Sequence, residues 1–272
     1  MDYVTLSNGI KMPQLGYGVY QVTKEEAERC VSDALEVGYR SIDTAQSYFN
    51  EEEVGNAIAK SGIARGDIFL TTKVWIEHYG YEACKKSVEE SLKKLKTDYI
   101  DLMLLHQPFG DAYGAWRALE EFYEKGILKA IGISNFYADR MVEFASFNRI
   151  KPMVNQVLCH ISNSPLALID YCKSKDIVME AYSPVAHGEA LKSPAIKAMA
   201  DKYSVSVPQL CIRYDIQLDM IVLPKTTNPE HMKNNADVEF VISEEDMEIL
   251  KKFKHIEDYG DDSFFPVFGG KL

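Results

Sequence analysis

Strand-like and helical patterns alternate eight times along this chain of 272 residues, and that alternation limits what the chain can fold into more than any other feature. Strand-like runs fall at Gln14 to Tyr20, Arg40 to Ala45, Asp67 to Trp75, Asp98 to Gln107, Ala130 to Asn135, Met153 to Val157, Ile177 to Ser183 and Met220 to Thr226. Runs such as Ile100-Asp101-Leu102-Met103-Leu104-Leu105 are too apolar for a strand with one solvated face, so the sheet is covered on both sides or closed on itself. Eight alternating units match the (β/α)8 TIM barrel, a fold of about 250 residues. A doubly wound sheet is the alternative, and it would carry a glycine-rich phosphate loop after its first strand. That junction reads Gly16-Tyr17-Gly18-Val19-Tyr20-Gln21, with no third glycine. The expected architecture is therefore α/β: residues 1–272 as a single barrel domain, with an N-terminal β-hairpin and extra helices near the C-terminal part.

The hairpin is read from Val4 and Leu6, Asn8-Gly9 as a two-residue turn, then Ile10 and Met12, and it would cover one end of the fold. Thr23-Lys24-Glu25-Glu26 reads as a capping box opening a helix that buries Ala27, Cys30, Val31, Ala34 and Leu35. Asn50 before three glutamates reads as a cap with acidic side chains at the positive end of the helix dipole, with Val54, Ala57 and Ile58 as the buried stripe and Gly62 as the stop. Three further faces are Cys84, Val88, Ser91, Leu92 and Leu95; Trp116, Leu119, Phe122 and Tyr123; and Met141, Val142 and Ala145. Ser164-Pro165 and Asn228-Pro229 each place a cap before a proline suited to the first helical position. Two helical patterns, around Ile196 to Tyr203 and Val207 to Leu218, share the interval before the last strand, so one is an addition to the repeat. A final helix opens at Ser243 and buries Met247, Leu250 and Phe253.

Charge and composition close several function classes. A formal charge of −11 works against a nucleic-acid partner. No apolar run approaches the ~18 residues that a membrane span needs. The amino terminus, Met1-Asp2-Tyr3-Val4-Thr5, lacks the basic region and apolar core of a secretion signal, which points to a cytoplasmic protein. Five cysteines, Cys30, Cys84, Cys159, Cys172 and Cys211, are scattered and odd in number, as expected of reduced packing residues rather than a disulfide framework or a zinc site.

A barrel gathers its active site where strands end. The second strand ends at Asp43 with Tyr48 in its loop, the third at Lys73, the fourth at His106, the fifth at Ser134-Asn135, the sixth at Gln156, the seventh at Tyr182-Ser183 and the eighth at Lys225-Thr226-Thr227. Taken singly, Lys73 is a surface cation, His106 a hydrogen-bonded core imidazole and Tyr182 a packing residue. Taken together at one end of successive strands, they form a polar ring around a barrel mouth. Tyrosine, with an ordinary pKa of about 10, donates a proton poorly at neutral pH unless a cation stabilises its phenolate. Lys73 is the candidate cation, Asp43 would keep it charged, and His106 would orient a carbonyl or share its proton. Such a site protonates an oxygen on which negative charge develops. Neither a nucleophile with its base nor clustered metal ligands is evident. A hydride, if one is needed, has to come from a cofactor.

These residues sit in stretches that resemble the aldo-keto reductases from about Leu6 to Asn235. The stretches are Asp43-Thr44-Ala45 with Tyr48 and Asn50-Glu51, Thr72-Lys73-Val74-Trp75, Leu104-Leu105-His106, Gly132-Ile133-Ser134-Asn135-Phe136, Val154-Asn155-Gln156, Ala181-Tyr182-Ser183-Pro184, and Leu223 to Glu230. The resemblance implies a catalytic tetrad of Asp43, Tyr48, Lys73 and His106 that reduces aldehydes and ketones to alcohols, with Tyr48 as general acid and a nicotinamide cofactor extended across the mouth. It implies that Ser134, Asn135 and Gln156 hold the carboxamide and that Tyr182 stacks on the ring. Gly18, Val19, Tyr20, Asp43, Ser183 and Pro184 would line the cofactor, and Lys225, Thr226, Thr227, Asn228, His231 and Asn235 its adenosine end. Near the carbonyl it places Tyr20, Tyr48, Trp75, His106, Gln107 and Phe109, with the tail residues Phe264, Phe265 and Phe268 as a candidate cover.

His231 stands where the family often has an arginine for the ribose 2′-phosphate. Histidine lacks the bidentate fork, but Lys225 remains, so the expected cofactor is NADPH, with weaker discrimination against NADH than usual. The loop after His106 is short, and an open pocket suits small reactive aldehydes, 2-oxoaldehydes or diketo sugars. This is similar to the short bacterial-type members, the glyoxal/methylglyoxal and 2,5-diketo-D-gluconate reductases. The expected partner is a small-molecule carbonyl compound, and the expected state is a monomer. Two other readings stay open: a cofactor-binding regulatory subunit with little turnover, as in potassium-channel β-subunits, and a non-redox barrel hydrolase or isomerase.

Overall fold

The computed structural model describes residues 2–254; Phe264, Phe265 and Phe268 lie outside the described residues. A hairpin of β1 (Tyr3–Thr5) and β2 (Lys11–Pro13) precedes eight parallel strands: β3 (Tyr17–Gly18), β4 (Ser41–Asp43), β5 (Phe69–Val74), β6 (Ile100–Leu105), β7 (Leu128–Ser134), β8 (Val154–Leu158), β9 (Val178–Tyr182) and β10 (Ile221–Leu223). The strands pair in chain order from β3 to β10. The first and last then meet: Leu15 bridges Val222, Gly16 N donates to Val222 O at 2.9 Å, and Val222 N donates to Gln14 O at 2.9 Å. This is the expected barrel. Closure explains the missing alternation, because Leu102, Met103, Leu104 and Leu105 are all fully buried although they point alternately inward and outward.

Helices α1 (Lys24–Val37), α2 (Glu51–Lys60), α3 (Tyr81–Lys94), α4 (Ala112–Glu124), α5 (Ala138–Phe147) and α6 (Leu166–Lys173) each follow one strand. Between β9 and β10 lie α7 (Pro194–Lys202) and α8 (Val207–Gln217), and after β10 come α9 (Pro229–Ala236) and α10 (Glu244–Lys251). Of the paired helices, α8 packs on β10, whereas α7 rests on α8 and on the Ala186–Lys192 segment. The additions are thus α7 and α10, which share a smaller apolar cluster with Ile196, Leu210, Tyr214 and Leu250. Where α2 crosses the end of α3, a Cβ on Gly55 would lie 2.7 Å from the Leu95 backbone, so only glycine permits that approach.

Several local expectations are corrected. The hairpin turn is not a two-residue Asn8-Gly9 turn: Gly9 N donates to Leu6 O and Leu6 N to Ile10 O, both at 2.8 Å, with Gly9 at φ 87°. Ser7 and Asn8 make the turn and Gly9 takes the left-handed position after it. Asn8 Nδ2 donates to Lys129 O at 2.9 Å, which fastens the hairpin at the end of the barrel where β7 begins. Thr23 meets the Glu26 carboxylate instead of a backbone N–H, and Ser164 bonds His160 O and Tyr214 Oη, so neither caps a helix. The capping box is at Ser206 and Gln209 on α8, a site that the cap pattern did not pick out. Asn228 and Ser243 cap as expected. On α5, Val142 is exposed and Phe144 is buried in its stead. All five cysteines are buried free thiols, and no helix among the described residues is long and apolar enough to cross a membrane.

Candidate active site

The C-terminal ends of β4 and β5 bring an acid and a base together inside the barrel. Lys73 Nζ, fully buried, lies 2.5 Å from Asp43 Oδ1, donates to Thr44 O at 2.9 Å and approaches Tyr48 Oη at 3.2 Å. The expected contact between phenol and ammonium is present. Asp43 Oδ2 accepts from Gln156 Nε2 at 2.9 Å, so both carboxylate oxygens and the ammonium are bonded. That satisfaction is what makes a buried charge pair tolerable.

The loop carrying Tyr48 is a 3-10 turn, Gln46–Tyr48, tied on three sides. Gln46 accepts from Trp75 N at 2.9 Å and donates to Ser87 O and Ser91 Oγ on α3. Ser47 Oγ lies 3.3 Å from His106 Nδ1. Phe49 takes φ 58° and stands 82% exposed, and Asn50 turns inward to complete burial. Asn50 is not a side-chain cap of α2. Its amide donates to Val19 O and Val22 O at 3.2 Å and accepts from Thr44 Oγ1 at 2.7 Å, pinning the loops after β3 and β4 to each other.

Burial decides the protonation states. The Tyr48 hydroxyl is pushed well above its ordinary value, first by burial and then by the charge of Asp43. In the free protein Tyr48 therefore keeps its proton through the neutral range. His106 is pushed well below the usual histidine range, by burial first and then by Lys73. A neutral imidazole can orient an oxygen by hydrogen bond and has no extra proton to share.

Around the hydroxyl stand aromatic rings. Tyr20 lies 5.1 Å from the Tyr48 ring, and His106 lies 5.6 Å from Tyr48 and 5.1 Å from Trp75, in edge-on contacts. Gln107 is buried, with its backbone held by Tyr79 Oη, and Phe109 is 37% exposed on the loop after β6.

A second group of polar side chains continues the mouth over β7, β8 and β9. Ser134 Oγ donates to Gln156 O at 3.0 Å, and Asn135, at φ 65°, donates to His106 O at 3.1 Å and accepts from Tyr182 Oη at 2.9 Å. Gln156 points deeper than expected: its Nε2 also donates to Glu180 Oε2 at 2.9 Å. Ser183 lies at φ 55°, with Oγ 3.3 Å from His187 Nε2, and leads into Pro184. Gly18 N donates to Pro224 O at 3.2 Å and Val19 N to Asp43 O at 3.0 Å, closing this wall.

Beyond the mouth, Lys225 and His231 are exposed, Asn228 is spent on capping α9, and Asn235 is buried. Tyr17 Oη donates to Thr226 O at 2.6 Å and Arg29 to Thr227 O at 3.3 Å, so these backbone carbonyls are engaged within the fold. The strand ends give no sign of Ser47 or Glu180, and Asn50 reads there only as a cap; Glu180 is a lone charge inside the apolar run Val178-Met179-Glu180-Ala181, which is the available signal.

The structure is a (β/α)8 barrel with a tyrosine, a lysine and a neutral histidine at its mouth. The sequence pattern of the Aldo/keto reductase family matches residues 6–255. Glyoxal reductase of Bacillus subtilis (strain 168) is 42% identical over 262 residues, covering 95% of each chain. A crystal structure of an aldo/keto reductase from Brucella melitensis superposes with TM-score 0.89 at 42% identity, covering 92% of this chain and 98% of that one. An aldo-keto reductase from Bombyx mori, in complex with NADP, superposes with TM-score 0.90 at 30% identity, covering 96% of this chain and 95% of that one. The chain belongs to the aldo/keto reductase family and is an oxidoreductase.

A depressed His106 carries a stability signature. The unfolded imidazole takes up a proton near 6.5 that the folded form refuses. Stability from this source is present above that value and is lost as pH falls toward the folded value. Urea midpoints should therefore fall below about pH 6.5 in the native protein and fall less in His106→Asn; equal slopes would contradict a neutral buried imidazole.

Proposed function

We propose that the protein is a carbonyl reductase that uses a nicotinamide cofactor and Tyr48 as general acid. The observation that carries this is the Lys73 ammonium set between Asp43 and the Tyr48 hydroxyl, 2.5 Å from one and 3.2 Å from the other. A reduced nicotinamide, when bound, supplies the hydride. The residues at the mouth fit such a group in chemistry: Ser134 and Asn135 offer hydroxyl and amide functions suited to a carboxamide, and Tyr182 offers a flat ring held by Asn135. Gln156 has committed its Nε2 to two carboxyl groups, which leaves its Oε1 as the acceptor for a carboxamide N–H.

On this reading, His106 donates an N–H to the carbonyl oxygen and sets its position. Tyr48 Oη gives its proton to that oxygen as charge develops there. The phenolate left behind faces Lys73, and Asp43 keeps the ammonium in place. Tyr20 and Trp75 narrow the approach of water. A hydroxyl that stays protonated at neutral pH is an acid loaded before substrate arrives, and the adjacent ammonium lowers the cost of losing that proton only when it leaves.

The likeness to a glyoxal reductase and the short loop after β6 support a small reactive aldehyde, 2-oxoaldehyde or diketo sugar as substrate. Buried free cysteines support a reducing, cytoplasmic setting. For the cofactor, Lys225 supports NADPH, while His231 on the first turn of α9 supports only weak exclusion of NADH.

Two measurements test this reading. NADPH consumption with methylglyoxal should fall about 10²- to 10⁴-fold in Tyr48→Phe, the usual weight of general acid catalysis, with cofactor binding retained by fluorescence quenching. Binding without turnover in either protein would favour the regulatory subunit, and no binding at all would favour a non-redox barrel. In His231→Arg, the ratio of Michaelis constants should move toward NADPH by about tenfold, the equivalent of one added charge-assisted contact of ~1.4 kcal/mol. An unchanged ratio would count against His231 as the discriminating position.

A further inference from the structure

Beneath the site lies a carboxyl group that the reduction described above does not use. Glu180 sits in the middle of β9 and is fully buried. Residues 180 and 182 share one face of that strand, so Glu180 occupies the barrel layer below Tyr182. Its Oε2 accepts from Gln156 Nε2 at 2.9 Å, and the same nitrogen donates to Asp43 Oδ2 at 2.9 Å. Glu180 Oε1 has no hydrogen-bond partner among the described residues. One amide nitrogen thus joins two carboxyl groups in a dry interior, and only one of the two touches a cation.

The charged and titratable groups facing Glu180 are few. Asp43 comes from β4, Lys73 from β5 and Tyr48 from the loop between them, while the register partner on β10 is the apolar Ile221. Two carboxylates this close do not both ionise readily. Lys73 contacts Asp43 and not Glu180, so Glu180 is the carboxyl that the site leaves neutral.

We propose that Glu180 is a positioning residue of the reduction: through the Gln156 amide that it shares with Asp43, it sets the net charge against which Tyr48 gives up its proton. This inference rests on Tyr48 being the acid. Burial first, and then the charge of Asp43, push the Glu180 carboxyl up to about 8, against the opposing pull of Gln156 and Lys73. With Glu180 neutral, Asp43 and Lys73 balance. With Glu180 ionised, the layer below Tyr48 is negative, and that charge is among those that hold the Tyr48 proton. Proton transfer from Tyr48 Oη to the substrate oxygen then slows. Substrate affinity does not change, because Glu180 lies a layer below the pocket. Glu180 neither gives nor takes the transferred proton, which Tyr48 regains from solvent.

The test is the pH dependence of kcat and KM for methylglyoxal with NADPH, in native protein and in Glu180→Gln, beside Tyr48→Phe. The native kcat should drop several-fold to a lower plateau as pH rises through the titration of Glu180, with KM level. Glu180→Gln keeps the hydrogen-bond partner but cannot ionise, so its ratio of kcat below to kcat above that titration should approach one. Overlaid native and variant profiles, or a change confined to KM, would overturn the role of Glu180. If Glu180→Gln does not fold, infrared titration of the native protein decides. A carboxyl band lost with the same midpoint as kcat supports the role, and no band titrating there overturns it. A Tyr48→Phe variant as active as native would overturn the acid assignment itself, which separates that failure from the failure of Glu180.

Discussion

The buried pair of Lys73 and Asp43 is the interaction on which the rest of the structure depends. Removing two charges from water costs several kcal/mol per ion, and their attraction repays this only when the remaining donors and acceptors are met. Here they are met from different parts of the chain: Thr44 O and Tyr48 Oη bond the ammonium, and Gln156 Nε2 bonds the carboxylate. Asp43 ends β4 and Lys73 lies one residue before the end of the neighbouring β5, whereas Gln156 reaches Asp43 from the middle of β8, across the closed sheet. The neighbouring strands bring the pair together, and closure of the barrel supplies the Gln156 bond that completes it.

Around this pair the protein places neutral groups. Tyr48 keeps its proton, His106 refuses one and Glu180 is held largely as the acid, in each case with burial as the leading cause. The pattern leaves one cation facing the phenol and one anion behind it, a field fixed by the fold rather than by rearranging water. The supporting bonds of Gln46, Ser47 and Asn50 hold the Tyr48 loop against α3, His106 and the loop after β3, which keeps the Tyr48 hydroxyl aligned with Lys73.

Much of this was legible in the sequence, for physical reasons that also explain the failures. Barrel strands are apolar on both faces and carry polar residues where they end, so the alternation and the grouping of Asp43, Lys73 and His106 at one end of the barrel could be read directly. Caps were read less well. Asn50 and Ser164 have the right chemistry for capping, but partners in the loops after β3 and β8 and on α8 compete for their side chains and win. Val142 faces solvent because the apolar stripe of α5 runs through Met141, Phe144 and Ala145 instead. The direction of the Tyr48 shift could not be read either, because an adjacent lysine argues for a lower value and only the depth of burial shows that desolvation prevails. Glu180 gives no strand-end signal because it lies inside β9, one layer below the strand ends.

The central claim is that Tyr48 delivers a proton to the carbonyl oxygen in the same step that carries the hydride. The most direct measurement is single-turnover hydride transfer to methylglyoxal, with native protein in H₂O and in D₂O, using NADPH and its 4-deuterated form. A normal solvent isotope effect that persists when the hydride is also deuterated is the predicted result. Hydride transfer at the same rate in both solvents would contradict Tyr48 as the acid of that step.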